Sequence, residues 1–221
     1  MTALSLRSVG ATYGDQRVLE PLTLSIEAGE QVALVGRSGA GKSTLLSLLF
    51  DDKRSDIAYM PQELGLVQGL SVFHNVYMGR LAVKPTWYNI ANLVWPFKDE
   101  VEAVHAVLEP LGLAAKRWSP VGELSGGQRQ RTAVARTIYQ DAGILLADEP
   151  VSALDGPQAH NVMQTLTSSY ATAVLAMHDV ELALGYTNRV IGIDDGRIAL
   201  DKPAADLSPG DLLPLYQGET A

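Results

Sequence analysis

Residues 4–9 (LSLRSV) and 22–26 (LTLSI) alternate apolar and polar side chains, the period-two pattern of strands covered on one face. A polar turn around Gly14-Asp15 separates them. The next apolar run, VALVG at 32–36, does not alternate, which fits a parallel strand covered on both faces. Three similar runs follow, IAYM at 57–60, ILLAD at 144–148 and AVLAM at 173–177, with helical patterns at 43–50, 100–111, 126–140 and 157–169. Buried strands alternating with helices predict an α/β sheet with its active groups at the strands' C-terminal ends. VIGIDDGRIAL (190–200) predicts a hairpin turning at Asp195-Gly196. Residues 64–125 break the alternation: they predict a mostly helical lobe inserted between two core strands, and they carry Trp87, Trp95 and Trp118.

Composition narrows the functional classes. The 221 residues suffice for a substantial buried core, and the 47% hydrophobic content is ordinary for a globular chain. A net charge of −8 argues against broad binding to nucleic acid or anionic lipid, both of which are polyanionic. No stretch reaches the apolar length of a membrane span, and the first residues lack the pattern of a signal peptide. With no cysteine, disulfide frameworks and thiolate metal sites are excluded, and a cytoplasmic address is expected.

The chemistry begins at GRSGAGKST (36–44), which matches G-x-x-x-x-G-K-[ST] with a buried strand before it and a helix after. Gly36, Gly39 and Gly41 let the backbone through Arg37, Ser38 and Ala40 wrap an anion with its N–H groups. Lys42 supplies a point charge to the β- and γ-phosphates, Ser43 and Thr44 open the helix, and the Ser43 hydroxyl can ligate Mg²⁺. ILLADEP (144–150) ends a strand in two adjacent carboxylates that should point to opposite faces. Asp148 is expected to hold Mg²⁺ and Glu149 to orient or deprotonate the attacking water. Pro150 closes the strand. In LSGGQ (124–128), Ser125 and Gln128 fit a capping box, and a capped helix N-terminus behind Gly126 and Gly127 is also an anion site. No guanine-specifying N-K-x-D motif is present.

GRSGAGKST, LSGGQ and LLADEP, in that order, resemble the ATP-binding-cassette (ABC) ATPases over nearly the whole chain. The resemblance implies a P-loop NTPase (RecA-like) fold in one ABC ATPase domain, 1–221. Residues 1–63 and 141–221 would form a mostly parallel catalytic core with an antiparallel β lobe, and 64–140 an inserted helical lobe bearing the signature. It implies ATP and Mg²⁺ as ligands, with Tyr13 stacking on adenine, Gln62 reaching Mg²⁺ and the lytic water, and His178 sensing the γ-phosphate. Asp155, in VSALD (151–155), would belong to the loop that contacts the partner subunit. It also implies an ATP-sandwich dimer with a second copy or a homologous ATPase subunit. Ser125, Gly126, Gly127 and Gln128 would then act on the opposite protomer's nucleotide. ATP would act as a clamp that opens after cleavage.

HNVYMGRL (74–81), PTW (85–87), the run around Trp95-Pro96-Phe97, ADEPVSALD and DDGRI (194–198) are most similar to the phosphonate-type importer ATPases. That likeness implies an integral-membrane permease as partner, a substrate-binding protein acting indirectly, and a place on the cytoplasmic face of the cell membrane. Trp87, Trp95 and Phe97 would border the permease groove or fill the lobe's core. The alternative is a non-transport ABC ATPase in an assembly or carbon–phosphorus lyase-type complex. The stretch LLFDDKRSDIAYMPQE (48–63) is shorter than in the family and lacks its antiparallel strands. Helix 43–50, turn 51–55 and strand 56–60 still make a βαβ crossover, so a reduced antiparallel lobe is expected beside intact phosphate chemistry.

Overall fold

The computed structural model describes residues 1–51 and 54–216. Its apolar runs become the strands of one six-stranded sheet, in the order β4-β5-β6-β3-β7-β8. These are β3 (Gln31–Val35), β4 (Ile57–Met60), β5 (Ile144–Asp148), β6 (Thr172–Ala176), β7 (Arg189–Asp194) and β8 (Arg197–Pro203). All neighbouring pairs are parallel except β7 with β8. β5 and β6 are buried along their whole length, as two-sided cover requires of uninterrupted apolar strands.

The hairpin expected at 190–200 exists, but its first strand also belongs to the central sheet. β7 pairs in parallel with β3, Val32 to Arg189 through Val35 to Gly192. The local turn signal was readable; a parallel partner so far back along the chain leaves no local trace. A helix not anticipated, α7 (Val180–Tyr186), starts at Asp179, whose side chain accepts from Leu182 N.

The alternating segments pair as a two-stranded antiparallel sheet, β1 (Thr2–Tyr13) with β2 (Gln16–Glu27). Both strands are longer than the expected 4–9 and 22–26, and Gly14 turns between them at φ 58°. Leu4, Leu6, Leu22, Leu24 and Ile26 share one buried cluster with Leu45, Leu46 and Leu49 of helix α1 (Lys42–Leu49). Of the turn expected at 51–55, residues 52 and 53 lie outside the described residues. Beyond it, Phe50 stacks on Tyr59 with centroids 4.9 Å apart. Arg54 grips Asp56 at 2.6 Å and donates from Nη1 to Ala3 O, tying the short connection to the β1 backbone. Among the described residues the antiparallel lobe is thus one strand pair, as the shortened stretch implied.

Two compact units divide the chain. The first holds residues 1–62, 143–150 and those from 170 onward, which include both sheets. The second holds 63–142 and 151–169. It contains α2 (Val72–Tyr77), α3 (Thr86–Val94), α4 (Lys98–Leu108), α5 (Gly126–Tyr139) and α6 (Gly156–Ser169). Within it α5 packs against α2, α4 and α6. Buried Glu100 bonds to Tyr139, to Tyr88 (3.0 Å) and to Lys84 (3.3 Å). Trp87 and Trp95 do not fill this core: they are 69% and 78% exposed, while Phe97 packs on Tyr88 at 4.7 Å. No helix among the described residues is long and apolar enough to cross a membrane.

Candidate active site

Four adjacent parallel strands deliver the first unit's site residues from their C-terminal ends. β3 runs into Gly36, β4 into Gln62, β5 into Asp148 and Glu149, and β6 into His178. This is where an open α/β sheet gathers its chemistry. Ser38, Gly39, Gly41, Lys42, Ser43, Thr44, Gln62, Glu149 and His178 line one groove together with Val18.

Two of the loop's glycines, Gly36 and Gly41, are required by contact as well as conformation. Gly36 has φ 142°, and a Cβ there would come within 2.2 Å of Ile193 O. Gly41 has φ 108°, and a Cβ would lie 2.6 Å from Leu19 Cδ2 and 3.2 Å from Val18 O. Gly41 is also the N-cap of α1 and offers no side-chain cap, so the first-turn N–H groups are available to a ligand. Lys42 is buried, and its Nζ donates to Gly36 O at 2.8 Å and Arg37 O at 3.0 Å. Burial lowers its pKa, against the attraction of Glu149 and Asp148.

Asp148 is 3% exposed. Burial pushes its carboxyl above the ordinary range and Glu149 adds to the rise, while a hydrogen bond from Ser43 and the charges of Lys42 and His178 oppose it. The separation of the two acids was expected from strand alternation; the structure adds a different cause. β5 ends at Asp148, and Glu149 stands beyond it at φ 53°, a left-handed conformation that costs a non-glycine residue about 1–2 kcal/mol. Glu149 N donates to Ala176 O at 3.0 Å, and its Oε1 lies 2.8 Å from His178 Nε2. The carboxylate is thereby aimed at β6's end, away from the axis of its own strand.

The donors fit Mg²⁺: a serine hydroxyl already bonded to a carboxylate, with an amide side chain in the same groove, offers the hard oxygens that ion takes. Tyr13 is at the β1–β2 turn, 62% exposed, and is not among the residues lining the groove. Val18 lines it without having been singled out. It is an ordinary position in an alternating strand, and only the approach of Gly41 reveals it. Arg37 Nε is 3.7 Å from Asp194 Oδ1 at the turn of the β7–β8 hairpin.

The signature residues belong to the second unit, where the capping box is complete. Ser125 Oγ accepts from Gln128 N (3.3 Å), and Gln128 Oε1 accepts from Ser125 N (3.0 Å). A Cβ on Gly126 would meet nothing within 4 Å; on Gly127 it would lie 3.2 Å from Ala153 O. Asp155 caps α6, accepting from Gln158 N at 3.0 Å.

Comparison with known proteins agrees with this geometry. The ABC transporter family matches at residues 19–54 and 50–152, two segments that meet at the shortened connection. A phosphonates import ATP-binding protein of Anaeromyxobacter dehalogenans is 39% identical across 97% of this chain, which spans 48% of that longer protein. A phosphonates import ATP-binding protein of Natronomonas pharaonis is 37% identical, with 96% of this chain and 99% of that protein covered. A dimeric ATP-binding cassette in a post-hydrolysis state bound to ADP and Pi superposes with a TM-score of 0.75, at 25% identity over 91% of this chain and 98% of its own. With the ordered motifs, the sheet that gathers the first unit's site residues and these likenesses in agreement, the chain belongs to the ABC transporter family and is one of its ATPase cassettes.

Proposed function

We propose that this cassette binds Mg·ATP in the groove between Val18 and His178 and energises an importer, with a phosphonate or related oxyanion as cargo. The observation that carries the reading is the convergence of Lys42, Ser43, Gln62, Glu149 and His178 from successive strand ends. The loop N–H groups and Lys42 receive the β- and γ-phosphates. Ser43, Asp148 and Gln62 would hold Mg²⁺, which when bound would supply positive charge to offset that of the phosphates. Glu149 orients the attacking water and takes its proton, and His178, 2.8 Å away, holds that carboxylate in place. Tyr13 stacks on the adenine from the exposed hairpin tip.

The second copy is part of the reading. Ser125, Gly126, Gly127 and Gln128 present a capped helix N-terminus with open space at Gly126, suited to the γ-phosphate on the opposite protomer. Asp155 stands at the same interface. ATP then stabilises the closed dimer, and hydrolysis releases it. The dimeric neighbour with ADP and Pi supports this, and the two import proteins support the cargo.

The permease partner would dock on the helical unit at the cytoplasmic face of the membrane. There Leu70, Tyr77, Leu81, Ile90 and Leu93 line an apolar groove beside exposed Trp87 and Trp95. Affinity purification from solubilised membranes tests the assignment. Recovery of an integral-membrane permease whose cargo stimulates ATP hydrolysis is expected, and recovery of the chain only in a membrane-free assembly would overturn it.

A further inference from the structure

A second hollow, about 240 Å³ in volume, adjoins the phosphate groove within the first unit. Val18, Ser38 and Gly39 line both, while Arg17, Arg37 and Asp195 line the second alone. The chemistry above uses none of these last three side chains.

One wall is the two-residue turn between β7 and β8. Asp195 and Gly196 take φ 45° and 73° there, the left-handed pair that so tight a hairpin needs. The turn is fastened on two sides. Gly196 O accepts from Glu20 N of β2 at 2.9 Å, and Gly196 N donates to Ala40 O of the phosphate loop at 3.3 Å. A Cβ at Gly196 would come within 2.6 Å of Val18 O. Arg37 is fixed in turn, its N donating to Leu215 O at 3.2 Å. Asp195 therefore has a set place beside the loop that receives phosphate.

Two side chains in the hollow are uncommitted. Arg17 is held by Glu20 at 3.0 Å. Among the described residues, however, Asp195 makes no hydrogen bond or ion pair. Arg37 reaches only Asp194, at 3.7 Å, which is beyond hydrogen-bond distance. The hollow also lies at a telling point. At one end Arg17 pairs across the strands with Thr12, the neighbour of Tyr13; at the other, Ser38 and Gly39 belong to the phosphate loop. The order Tyr13, hollow, phosphate loop is the order base, sugar, phosphate.

We infer that this hollow is a ribose subsite, in which the Asp195 carboxylate accepts from the 2′- or 3′-hydroxyl with Arg37 as the neighbouring donor, so that the cassette selects ribonucleotides. A carboxylate suits a sugar diol because it only accepts, and both hydroxyls can donate. This rests on the ATP-binding reading above.

The test is a calorimetric titration of wild type, Asp195→Gly, Asp195→Asn and Arg37→Met with Mg·ADP and with Mg·2′,3′-dideoxy-ADP. Glycine adopts φ 45° freely, so the turn survives loss of the carboxylate. Wild type should prefer ADP about 3- to 10-fold, the worth of one solvent-facing hydrogen bond. Asp195→Gly should bring that ratio near one by weakening ADP alone. Asp195→Asn keeps an acceptor oxygen and should retain part of the preference. Arg37→Met should narrow it, and an unchanged ratio there would remove Arg37 from the site. A wild-type ratio near one, or a preference that survives Asp195→Gly, would overturn the inference. So would equal weakening of both ligands in Asp195→Gly, which would make Asp195 merely part of the turn. Wild-type protein that binds neither ligand would instead remove the ATP-binding reading itself, a separate outcome.

Discussion

Glu149 Oε1 and His178 Nε2 lie 2.8 Å apart, and the contact joins the ends of neighbouring strands β5 and β6. It is made with Glu149 in a left-handed backbone conformation, φ 53°, that an ordinary strand end would avoid. Strain at that residue is offset by the bond from its N–H to Ala176 O and by the imidazole.

Glu149→Gln should therefore keep the fold and nucleotide binding while the turnover number falls by about 10²- to 10⁴-fold, the usual range for a general base. Steady-state ATPase assays beside a binding titration check this. Turnover within a few-fold of wild type would remove Glu149 from that role.

Asp148→Asn should raise the melting temperature of the nucleotide-free protein at neutral pH. Burial holds the Asp148 pKa above its ordinary 3.8, so above that raised value the folded state bears an ionised group that the unfolded chain carries more cheaply. The cost falls away as pH drops through the raised value and is gone below 3.8. The variant's advantage should narrow in the same direction, with each kcal/mol worth about 2–4 °C in a chain of this size. Calorimetric scans from pH 7 downward measure it, and the variant should have lost Mg²⁺-dependent hydrolysis.

Gly36→Ala and Gly126→Ala should separate two kinds of glycine. At Gly36 the added carbon meets Ile193 O at 2.2 Å with φ 142°, so both melting temperature and ATP affinity fall, the latter by more than about tenfold for a distortion above 1.4 kcal/mol. At Gly126 nothing stands within 4 Å, so the fold and monomer binding survive. Hydrolysis should still be lost, because the methyl group intrudes where the opposite protomer's phosphate would sit. Wild-type turnover in Gly126→Ala would count against a phosphate contact there.

Glu100→Ala should destabilise the helical unit by about 3 kcal/mol, the scale for removing one member of a buried charged network. Burial alone would raise the Glu100 pKa, but hydrogen bonds from Tyr139, Tyr88 and Lys84 outweigh it and hold the pKa below its usual value. Urea unfolding followed by tryptophan fluorescence reads the loss, since Trp87, Trp95 and Trp118 all lie in that unit.

Most of the first unit's site was legible because its signals are local. The phosphate loop and the acids at the end of β5 each occupy one short stretch with its own physical logic, as does, in the second unit, the capping box at Ser125. What escaped depends on distant partners. The pairing of β7 with β3, the approach of Val18 to Gly41 and the hold of Leu215 on Arg37 leave no periodicity at either end. Glu149's left-handed turn was invisible for a different reason: a glutamate has no intrinsic preference for it, and tertiary contacts impose it. The shortened connection was legible as a deletion, yet the bond from Arg54 to Ala3 O that anchors it was not.

The central claim is that ATP is held between two copies of this chain, and light scattering on Glu149→Gln tests it most directly. With Mg·ATP the mass should double, from 23.7 kDa for one chain to a dimer, and with Mg·ADP it should remain monomeric. A variant that binds ATP at saturating concentration and stays monomeric would contradict the account.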